Sequence, residues 1–476
     1  MEKKLFDDVV GRLKDIITGT RYEGHAFVVG GSVRDLIMGH EIKDIDIVVS
    51  LPNGGIEFAK FMEENGHTLF DVVVYPTYGT AMFVLKDFPD VELECVQTRK
   101  EQYKDKGSRN PETAYGTIEE DCMRRDLTIN ALYMNICSGE ILDLTGCGRS
   151  DIENHVIRTT SIPDIVFSDD PLRICRVIRF SSRYGWEIEE ATKKALSEMS
   201  DRLSIITQER ITDEFCKMMT CDRSVMALKL MLETGVLKYV LPELLETVDM
   251  GQNAYHFGTV WEHTLAVVDN TPNDLLLRVS ALLHDIGKIR TRTVSEDGKV
   301  HFYRHEETSA EMCDEILRRM KFPTQFIRDV QFLVRNHMRT KQWGDDCSHM
   351  KLKSLRKLQY ECGGIERFTN LMLLIHADNV SHASGHCLPN QVQEIIGNTA
   401  EMLEEGGHMF GYALPLTGDD IMAELGIEAG REVKEYKKYC LKLAFSNPDM
   451  GKDVMLKHLR QYRKQLRQIP KKAHRL

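Results

Sequence analysis

Long hydrophobic runs are absent from this 476-residue chain. A membrane-spanning helix needs roughly 20 consecutive apolar residues, and no stretch of the sequence approaches that length. The first ten residues, MEKKLFDDVV, also lack the uninterrupted apolar segment of a secretory signal peptide. The sequence therefore predicts neither a membrane span nor a leader, and we expect a cytoplasmic protein.

Closely spaced cysteine pairs are also missing, since the twelve cysteines are scattered without a single CxxC. This pattern disfavours a structural zinc site and indicates reduced thiols. A net charge of −11 disfavours a uniformly basic surface, so any nucleic-acid contact must be confined to local patches. One such patch runs from Lys452 to the end, where Asp453 is the only acid. RNA contact and simple solubilisation of the terminus both fit this segment.

The periodicity of apolar residues divides the chain into a strand-rich part and a helical part. Strand-like runs are confined to the first third: HAFVVG, DIDIVV, AMFVL, VELECVQT, LYMN and ILDLTG. Helical periodicity follows, with Pro242 and Gly251 marking a joint. We expect an α+β domain with a small mixed sheet over residues 1–150, and all-α segments over residues 151–250, 251–400 and 401–476.

Two carboxylates stand out in the stretch KDIDIVV. Side chains alternate between faces along a strand, so Asp44 and Asp46 share one face while Ile45, Ile47 and Val49 face a core. Hard cations such as Mg²⁺ bind carboxylate oxygens, and a pair of such ions can catalyse phosphoryl transfer. Two solvated surface acids are the alternative for a lone pair of this kind.

The segment just before this pair favours a phosphate site. In FVVGGSVRDLIMG an apolar strand ends at Gly30 and Gly31 and an amphipathic helix follows. Glycines let backbone amides approach phosphates closely, and a helix N-terminus adds positive potential. Ser32 supplies a hydroxyl and Arg34 a bidentate donor. An ordinary βα turn is the alternative.

A third carboxylate is available in VELECVQT, where Glu92 and Glu94 share a strand face, and we expect Glu94 to join the aspartates. The following stretch, TRKEQYKDKGSRNPETAYGT, combines charge, Gly and Pro without periodicity. It predicts a mobile loop over the site, or else a solvated linker.

Two later segments carry further polar residues. In EEDCMRRDLTINALYMN, we expect Asp126 and Asn130 to share a helix face and bind ribose hydroxyls, while Arg125 reaches phosphate; surface ion pairs at a helix start are the alternative. In SDDPLRICRVIRFSSRYG an arginine stripe follows one helix, which favours an anionic ligand because like charges on one face repel. The stripe consists of Arg173, Arg176, Arg179 and Arg183.

Asp170 lies three residues before Arg173 and directly before Pro171. The two side chains place an acceptor beside donors, as is needed to read the edge of a nucleobase without a template strand. An ordinary helix N-cap at Asp170 is the alternative.

The motifs GGSVRD, DID, RRDLTINAL and DDPLR, in this order over residues 25 to 220, resemble the class II tRNA nucleotidyltransferase and bacterial poly(A) polymerase family. The resemblance implies a polymerase-beta-like head followed by a helical neck and body. It implies that Asp44 and Asp46 bind Mg²⁺, that Asp126 and Asn130 contact ribose, and that Asp170 and Arg173 pair with the incoming base. The family usually has Glu where this chain has Asp169. The implied nucleotide-binding residues also include Gly31, Arg34, Arg125, Arg176 and Arg179.

A second set of polar residues lies in the histidine-rich segment up to about residue 400 and resembles the HD-domain phosphohydrolases. Its members follow the order H…HD…H…H…D and are His263, His284, Asp285, His305, His337 and Asp378. Imidazole suits transition metals such as Ni²⁺, Mn²⁺ or Fe²⁺, and a metal-bound water would be the nucleophile. Isolated core or surface histidines are the alternative, and His256 and His301 have no assigned role.

After residue 400, PLTGDDIMAELGIEAGREVKEYKKY resembles the C-terminal segment of HD-containing CCA-adding enzymes, and Gly430 would begin a helix facing RNA phosphate. The resemblances together predict a CCA tRNA nucleotidyltransferase that uses CTP and ATP, with an HD phosphohydrolase domain and no membrane partner. The alternatives within the family are a poly(A) polymerase and a CC- or A-adding enzyme. Outside it, the alternatives are an RNA-binding factor with a non-catalytic head, and a protein whose HD domain is the principal activity.

Overall fold

The computed structural model describes residues 1–76, 79–102, 112–252 and 258–468. The chain forms two compact units, Met1–Leu245 with Arg319–Lys321, and Glu246–Arg318 with Phe322–Leu476. Among the described residues, no helix is both long and apolar enough to cross a membrane. The division into four domains remains a prediction.

The first unit contains a mixed sheet and eleven helices within the described residues. Its strands are β1 (Ala26–Val29), β2 (Ile45–Val49), β3 (Val73–Tyr75), β4 (Thr80–Val84), β5 (Glu92–Gln97), β6 (Arg99–Gln102), β7 (Glu112–Tyr115), β8 (Leu132–Asn135), β9 (Ile141–Asp143), β10 (Val156–Ile157) and β11 (Glu187–Ile188). Its helices are α1 (Lys3–Ile17), α2 (Gly31–Met38), α3 (Gly54–Glu64), α4 (Ile118–Met123), α5 (Gly148–Asn154), α6 (Pro163–Asp169), α7 (Leu172–Tyr184), α8 (Glu190–Glu198), α9 (Gln208–Met219), α10 (Ser224–Glu233) and α11 (Leu237–Val240).

Seven strands form one sheet in the order β3-β4-β5-β2-β1-β8-β9. β2 and β5 run parallel, and the other neighbours run antiparallel. Ile45, Ile47 and Val49 of β2 are buried, as the alternation of the sequence predicted. All six strand-like runs form strands of this sheet, and helices follow it, so the predicted α+β class is confirmed.

The sequence did not predict the hairpin of β6 and β7, which pair antiparallel. Both strands lie in the stretch that was predicted to be a mobile loop, and residues 103–111 of that stretch lie outside the described residues. The predicted helix through Asp126 and Asn130 is wrong: α4 ends at Met123, Leu127 has extended backbone angles, and only Thr128–Asn130 form a single 3₁₀ turn.

The second unit is almost wholly helical in its described part, apart from one two-stranded hairpin. Its helices are α12 (Val260–Asp269), α13 (Leu275–Leu283), α14 (Lys288–Thr291), α15 (His305–Arg319), α16 (Thr324–Asn336), α17 (Leu352–Cys362), α18 (Ile365–Val380), α19 (Gln391–Glu404), α20 (Gly418–Leu425), α21 (Arg431–Ser446) and α22 (Lys452–Gln468). The hairpin consists of β12 (Arg292–Val294) and β13 (Val300–Phe302).

Candidate functional sites

A tight glycine turn joins β1 to α2 in the first unit. Gly30 has φ 76°, a left-handed conformation that favours glycine. A Cβ there would lie 3.6 Å from Arg125 Nη1 and 4.0 Å from Asp46 Oδ2, so this backbone turn reaches the same cleft as both side chains. The Ser32 hydroxyl donates to the Asp44 carbonyl at 2.7 Å and thereby ties α2 to the residue before β2.

Two carboxylates lie side by side on the adjacent parallel strands β2 and β5. Asp46 occupies the position opposite Glu94, and Asp44 directly precedes β2. Burial, followed by repulsion from Glu94, raises the pKa of Asp46 to about 6, although Arg125 opposes the shift. Concentrated carboxylate charge of this kind fits a bound divalent cation, which would relieve the repulsion.

A cavity of about 440 Å³ opens beside these carboxylates. Its charged lining residues are the acids Asp46 and Glu94 and the arginines Arg99, Arg124 and Arg125. A cleft with acids beside arginines can hold a metal ion next to an anionic ligand. Arg99 is an addition to the residues that the sequence singled out.

Arg34 is buried and hydrogen-bonded within the unit. Its Nη1 donates to Asn130 Oδ1 at 2.5 Å, and its Nε and Nη2 donate to the carboxylate of Asp35 at 2.8 and 2.9 Å. Asn130 in turn donates to Asp126 at 3.2 Å. Asp126 and Asn130 therefore lie next to each other, although not on the helix that the sequence suggested.

A buried carboxylate that the sequence analysis missed, Asp121, holds both arginines of the RRD motif. Arg124 Nη2 donates to Asp121 Oδ1 at 2.6 Å, and Arg125 Nη2 donates to Oδ2 at 3.2 Å. The Tyr133 hydroxyl donates to the same Oδ2 at 2.7 Å. Burial raises the pKa of Asp121, but Arg125 and Arg124 outweigh it, and the net shift is downward. Its signal in the sequence was an acid three and four residues before two arginines.

The arginine stripe lies on α7, as predicted, but the charges of Arg176 and Arg179 are offset within the unit. Arg176 Nη2 lies 2.6 Å from Asp126 Oδ2, and Arg179 Nε donates to Glu214 at 2.6 Å. Burial raises the pKa of Asp126, but Arg176 outweighs it and brings the value to about 2. Glu214, on α9, is only 2% exposed and was missed because it lies far away in the sequence.

Asp170 and Arg173 flank the start of α7. Arg173 is buried, and its guanidinium donates to the carbonyls of Val166 at 3.1 Å and Arg124 at 2.6 Å. Asp170 accepts from Leu172 N at 3.1 Å and from Arg210 at 2.8 Å. The carboxylate thus contacts the first residue of α7, but the N-cap of that helix is Pro171, whereas the capping alternative placed it at Asp170. Arg173 connects α6 to the RRD segment.

The second unit gathers the predicted imidazoles and carboxylates in its interior. His263, His284, Asp285, His305, His337 and Asp378 are all buried, and they come from or adjoin five helices. His263, His284 and Asp378 form one group whose ligand atoms lie within 4.8 Å of one another, and His284, Asp285 and His337 form another.

Backbone carbonyls orient these imidazoles. The Nδ1 atoms of His284, His305 and His337 lie 2.7, 3.0 and 2.6 Å from the carbonyls of Ala281, Phe302 and Val334. This leaves each Nε2 to face the carboxylates, the arrangement found where imidazoles bind metals. Each carboxylate oxygen of Asp285 contacts a different imidazole: Oδ2 lies 3.2 Å from His284 Nε2, and Oδ1 lies 3.1 Å from His305 Nε2. This donor set fits a transition metal.

The protonation states of His337, Asp285 and Asp378 agree with metal binding. Burial lowers the pKa of His284, but Asp285 outweighs it and the net shift is upward, so a metal ion would have to displace a proton there. Burial, assisted by His284 and His305, lowers the pKa of His337 to about 3, so its Nε2 keeps a lone pair. Burial raises the pKa of Asp285 and of Asp378, but His284 and Lys288 around the first and Lys341 around the second bring both well below the ordinary value. Both carboxylates are therefore ionised.

Three residues beside this cluster were not predicted. Lys288 Nζ lies 2.6 Å from Asp285 Oδ2, and Lys341 Nζ lies 2.8 Å from Asp378 Oδ2. Both lysines and His382 line a cavity of about 530 Å³ with His305, His337 and the two aspartates. His382 follows Asp378 by one helical turn, a spacing that could have revealed it.

His301, which had no assigned role, does not line this cavity. His301 lies on β13 next to Phe302, and its ring stacks on Tyr303 at 5.2 Å. His256 lies outside the described residues.

The C-terminal segment forms three helices, α20 to α22, around a small apolar core that includes Met409, Tyr436 and Leu459. Gly430 directly precedes α21, as expected. The basic segment from Lys452 forms α22 up to Gln468, and Lys457, Lys464 and Arg467 are exposed on it. Residues 469–476 lie outside the described residues.

Three protein families match successive parts of the chain. Residues 26–158 match "Poly A polymerase head domain", residues 185–247 match "Probable RNA and SrmB- binding site of polymerase A", and residues 253–380 match "HD domain". GGSVRD, DID and RRDLTINAL lie within the first match and the six HD residues within the third, while DDPLR lies between the first two matches. The predicted resemblance is confirmed.

Known proteins resemble the chain over most of its length. The CC-adding tRNA nucleotidyltransferase of Thermus thermophilus is 28% identical over 429 residues, which cover 86% of this chain and 87% of that protein. The multifunctional CCA protein of an Azoarcus species is 28% identical over 379 residues, covering 75% and 83%. The crystal structure of the Bacillus stearothermophilus CCA-adding enzyme in complex with CTP covers 96% of this chain and 98% of that one, with a TM-score of 0.68 at 22% identity. That last likeness is one of fold.

Proposed function

Since the chain belongs to the class II tRNA nucleotidyltransferase and poly(A) polymerase family and carries an HD domain, we propose that it adds C, C and A to tRNA 3′ ends from CTP and ATP. The protein is a nucleotidyltransferase. Its reaction would join the 3′-hydroxyl of tRNA to the α-phosphate of the nucleotide and release pyrophosphate. We place it in the cytoplasm, where scattered thiols stay reduced.

The observation that carries this proposal is the cleft in which Asp46 and Glu94 pair across β2 and β5 while Arg125 and the Gly30 turn approach from the side. Asp44, Asp46 and Glu94 would hold Mg²⁺. When bound, the metal would stabilise the charge that develops on the attacking and leaving oxygens. The burial of Asp46 and its repulsion by Glu94 support this assignment, because they favour a divalent counterion.

Different residues around the cleft would contact different parts of the nucleotide. The backbone at Gly30 and Gly31, with Ser32, Arg34 and Arg125, would contact the triphosphate. Arg176 and Arg179 lie farther along α7 and already pair with Asp126 and Glu214. A triphosphate would have to share or replace these carboxylates, which would make its binding selective for a strongly charged anion.

The sugar and base would meet the remaining predicted residues. Asp126 and Asn130 would face ribose, and their mutual hydrogen bond keeps both side chains in fixed positions. Asp170 and Arg173 would read the base. Arg173 donates to two carbonyls in this structure, which uses two of the five N–H groups of its guanidinium, and base reading would use the others.

The decisive experiment supplies the purified protein with tRNA that lacks its 3′ CCA, together with Mg²⁺, CTP and ATP. We expect three nucleotides to be added, in the order C, C, A, and no addition by Asp46→Asn. Arrest after two C residues in the presence of ATP would identify a CC-adding enzyme, and addition of A alone to a tRNA ending in CC would identify an A-adding enzyme. Unlimited addition of A would identify a poly(A) polymerase. Each of these would overturn full CCA addition.

The second unit supports an additional activity, metal-dependent phosphohydrolysis. Buried histidine Nε2 atoms converge with Asp285 and Asp378, and Lys288 and Lys341 line the adjoining cavity. These residues would bind Ni²⁺, Mn²⁺ or Fe²⁺, and the lysines would attract a phosphate ester. When bound, the metal would supply a nucleophilic hydroxide.

This activity is tested with p-nitrophenyl phosphate and 2′,3′-cyclic nucleotides after loading with each metal. We expect hydrolysis that is lost in His284→Ala and Asp285→Asn, while nucleotide addition survives in both variants. A head that adds no nucleotide, together with an active HD site, would favour the reading in which hydrolysis is the principal activity.

A further inference from the structure

Asp121 is buried at the back of the cleft that holds Asp46 and Glu94, and it does not itself line the cavity. It lies near the end of α4, whose N-terminus is closed by a capping box between Thr117 and Glu120. Six hydrogen bonds reach its carboxylate, from a backbone N–H, a hydroxyl and the two guanidinium groups. Burying a charge costs desolvation free energy, and a carboxylate that accepts this many hydrogen bonds holds its donors in place.

The carboxylate grips only part of the Arg125 guanidinium. Nε and Nη2 donate to Asp121 Oδ2 at 3.3 and 3.2 Å. Nη1 takes no part in these bonds and lies 3.6 Å from the position that a Cβ would occupy on Gly30, close to the Asp46 carboxylate. Asp121 therefore turns one edge of the guanidinium inward and presents the remaining nitrogen to the cleft.

The other carboxylate oxygen of Asp121, Oδ1, contacts Arg124 and the backbone of Arg99. Oδ1 accepts from Arg124 Nη2 at 2.6 Å, from Arg124 Nε at 2.9 Å and from the backbone N–H of Arg99 at 3.1 Å. Arg99 begins β6, and both arginines line the cavity. One carboxylate thus holds the guanidinium groups of Arg124 and Arg125 and the backbone of Arg99. The charges of these arginines would repel one another without compensation if it were removed.

Tyr133 completes the arrangement from the sheet. Its hydroxyl donates to Asp121 Oδ2 at 2.7 Å and accepts from Arg125 Nε at 2.9 Å. The ring is fully buried, so this anchor moves only with the sheet that also carries Asp46 and Glu94.

We propose that Asp121 is a positioning residue of the nucleotidyltransferase site, which orients Arg124 and Arg125 toward the triphosphate of the incoming nucleotide. It touches no substrate and acts through the arginines. Preorganised donors bind an anion without the entropic cost of ordering them at each turnover. This inference rests on the proposed function of the cleft.

The test measures nucleotide KM, kcat and melting temperature for Asp121→Asn in the full-length protein. Its matched control is Glu189→Gln, because Glu189 also accepts from a backbone N–H and a hydroxyl, both of Thr192, and pairs with Arg158, away from the cleft. We expect Asp121→Asn to raise the KM for the nucleotide about tenfold, while Glu189→Gln leaves it within about twofold. Equal KM values in the two variants would overturn the proposal.

A double-mutant cycle with Arg125→Gln separates positioning from general destabilisation. If Asp121 acts through Arg125, adding Asp121→Asn to Arg125→Gln raises the KM by no more than about threefold. If the increase in KM for the double variant equals the product of the increases for the two single variants, the proposal is overturned. Should Asp121→Asn fail to fold, Tyr133→Phe provides the test, since it keeps the carboxylate but removes the hydroxyl between it and Arg125. A wild-type KM in that variant would also count against the proposal. If the wild-type protein itself adds no nucleotide, the proposed function is contradicted instead.

Discussion

Asp46 and Glu94 occupy directly opposed positions on the parallel strands β2 and β5, and this places both carboxylates in one cavity. Glu92 lies two residues earlier on the same strand. Both glutamates are exposed, but only Glu94 lines that cavity. The structure thus distinguishes two acids that the sequence pattern treats almost alike.

The first prediction uses this difference. Glu94→Gln removes a proposed metal ligand, so we expect kcat for nucleotide addition to fall at least about 100-fold. Glu92→Gln changes the same residue type on the same strand, and we expect it to retain kcat within about threefold. Single-turnover addition of CTP to a tRNA acceptor measures both, and equal losses in the two variants would remove Glu94 from the metal site.

The second prediction concerns the ion pair between Asp126 and Arg176. The folded-state pKa of Asp126 is about 2, against about 3.9 in an unfolded chain. A lowered carboxyl pKa stabilises the protein above the unfolded value, and this contribution is lost as the pH falls toward the folded value. We expect Asp126→Asn to cost about 3 kcal/mol of the free energy of unfolding at pH 7.

Urea unfolding of wild type and Asp126→Asn across a pH series measures this contribution. The difference between the two proteins should be constant from pH 7 to about pH 5 and should shrink as the pH falls through about 4 toward 2. A difference that does not depend on pH would show that the carboxylate acts through shape alone.

The third prediction concerns metal binding by the HD cluster. A ligand that binds only the folded state stabilises it by about 2.7 kcal/mol at a free concentration of 100 times Kd. We expect Ni²⁺ or Mn²⁺ to raise the melting temperature of the metal-free protein, and His284→Ala to abolish most of that rise. His301→Ala is the matched control, because this histidine belongs to neither metal-binding group. Elemental analysis gives the metal content directly, and equal metal content in both variants would contradict the assignment.

The fourth prediction tests contact between α22 and tRNA. Lys457 and Lys464 are exposed and two turns apart, so replacing both with Gln removes charge from one helix surface. We expect weaker tRNA binding and a shallower dependence of log Kd on log salt, by roughly 0.7 for each lost phosphate contact. Lys3→Gln with Lys4→Gln, on α1, removes the same charge elsewhere and should leave the salt dependence unchanged. An identical salt dependence in wild type and the α22 variant would limit this helix to a solubilising role.

The sequence predicted the order of elements well because their signals are local. Short apolar runs identified six of the seven strands of the main sheet, all but β3, and the three-and-four spacing on α7 identified its arginines. It failed at Asp126, where spacing suggested a helix but the backbone leaves α4 at Met123 and becomes extended at Leu127. There, tertiary contacts with Arg176 and Arg34 determine the conformation, and no local pattern records them.

The sequence by itself determined the family, the fold class and the residue types that can bind metal and phosphate, because motifs and periodicity are properties of neighbouring residues. Only the tertiary structure decided which acid stands opposite Asp46 and which carboxylates neutralise the arginines. Glu94, Asp121 and Glu214 reach their partners through strand register and helix packing, and these bring together residues that are distant in the chain. The charge balance of the cleft is therefore a property of the fold and could not be read from composition.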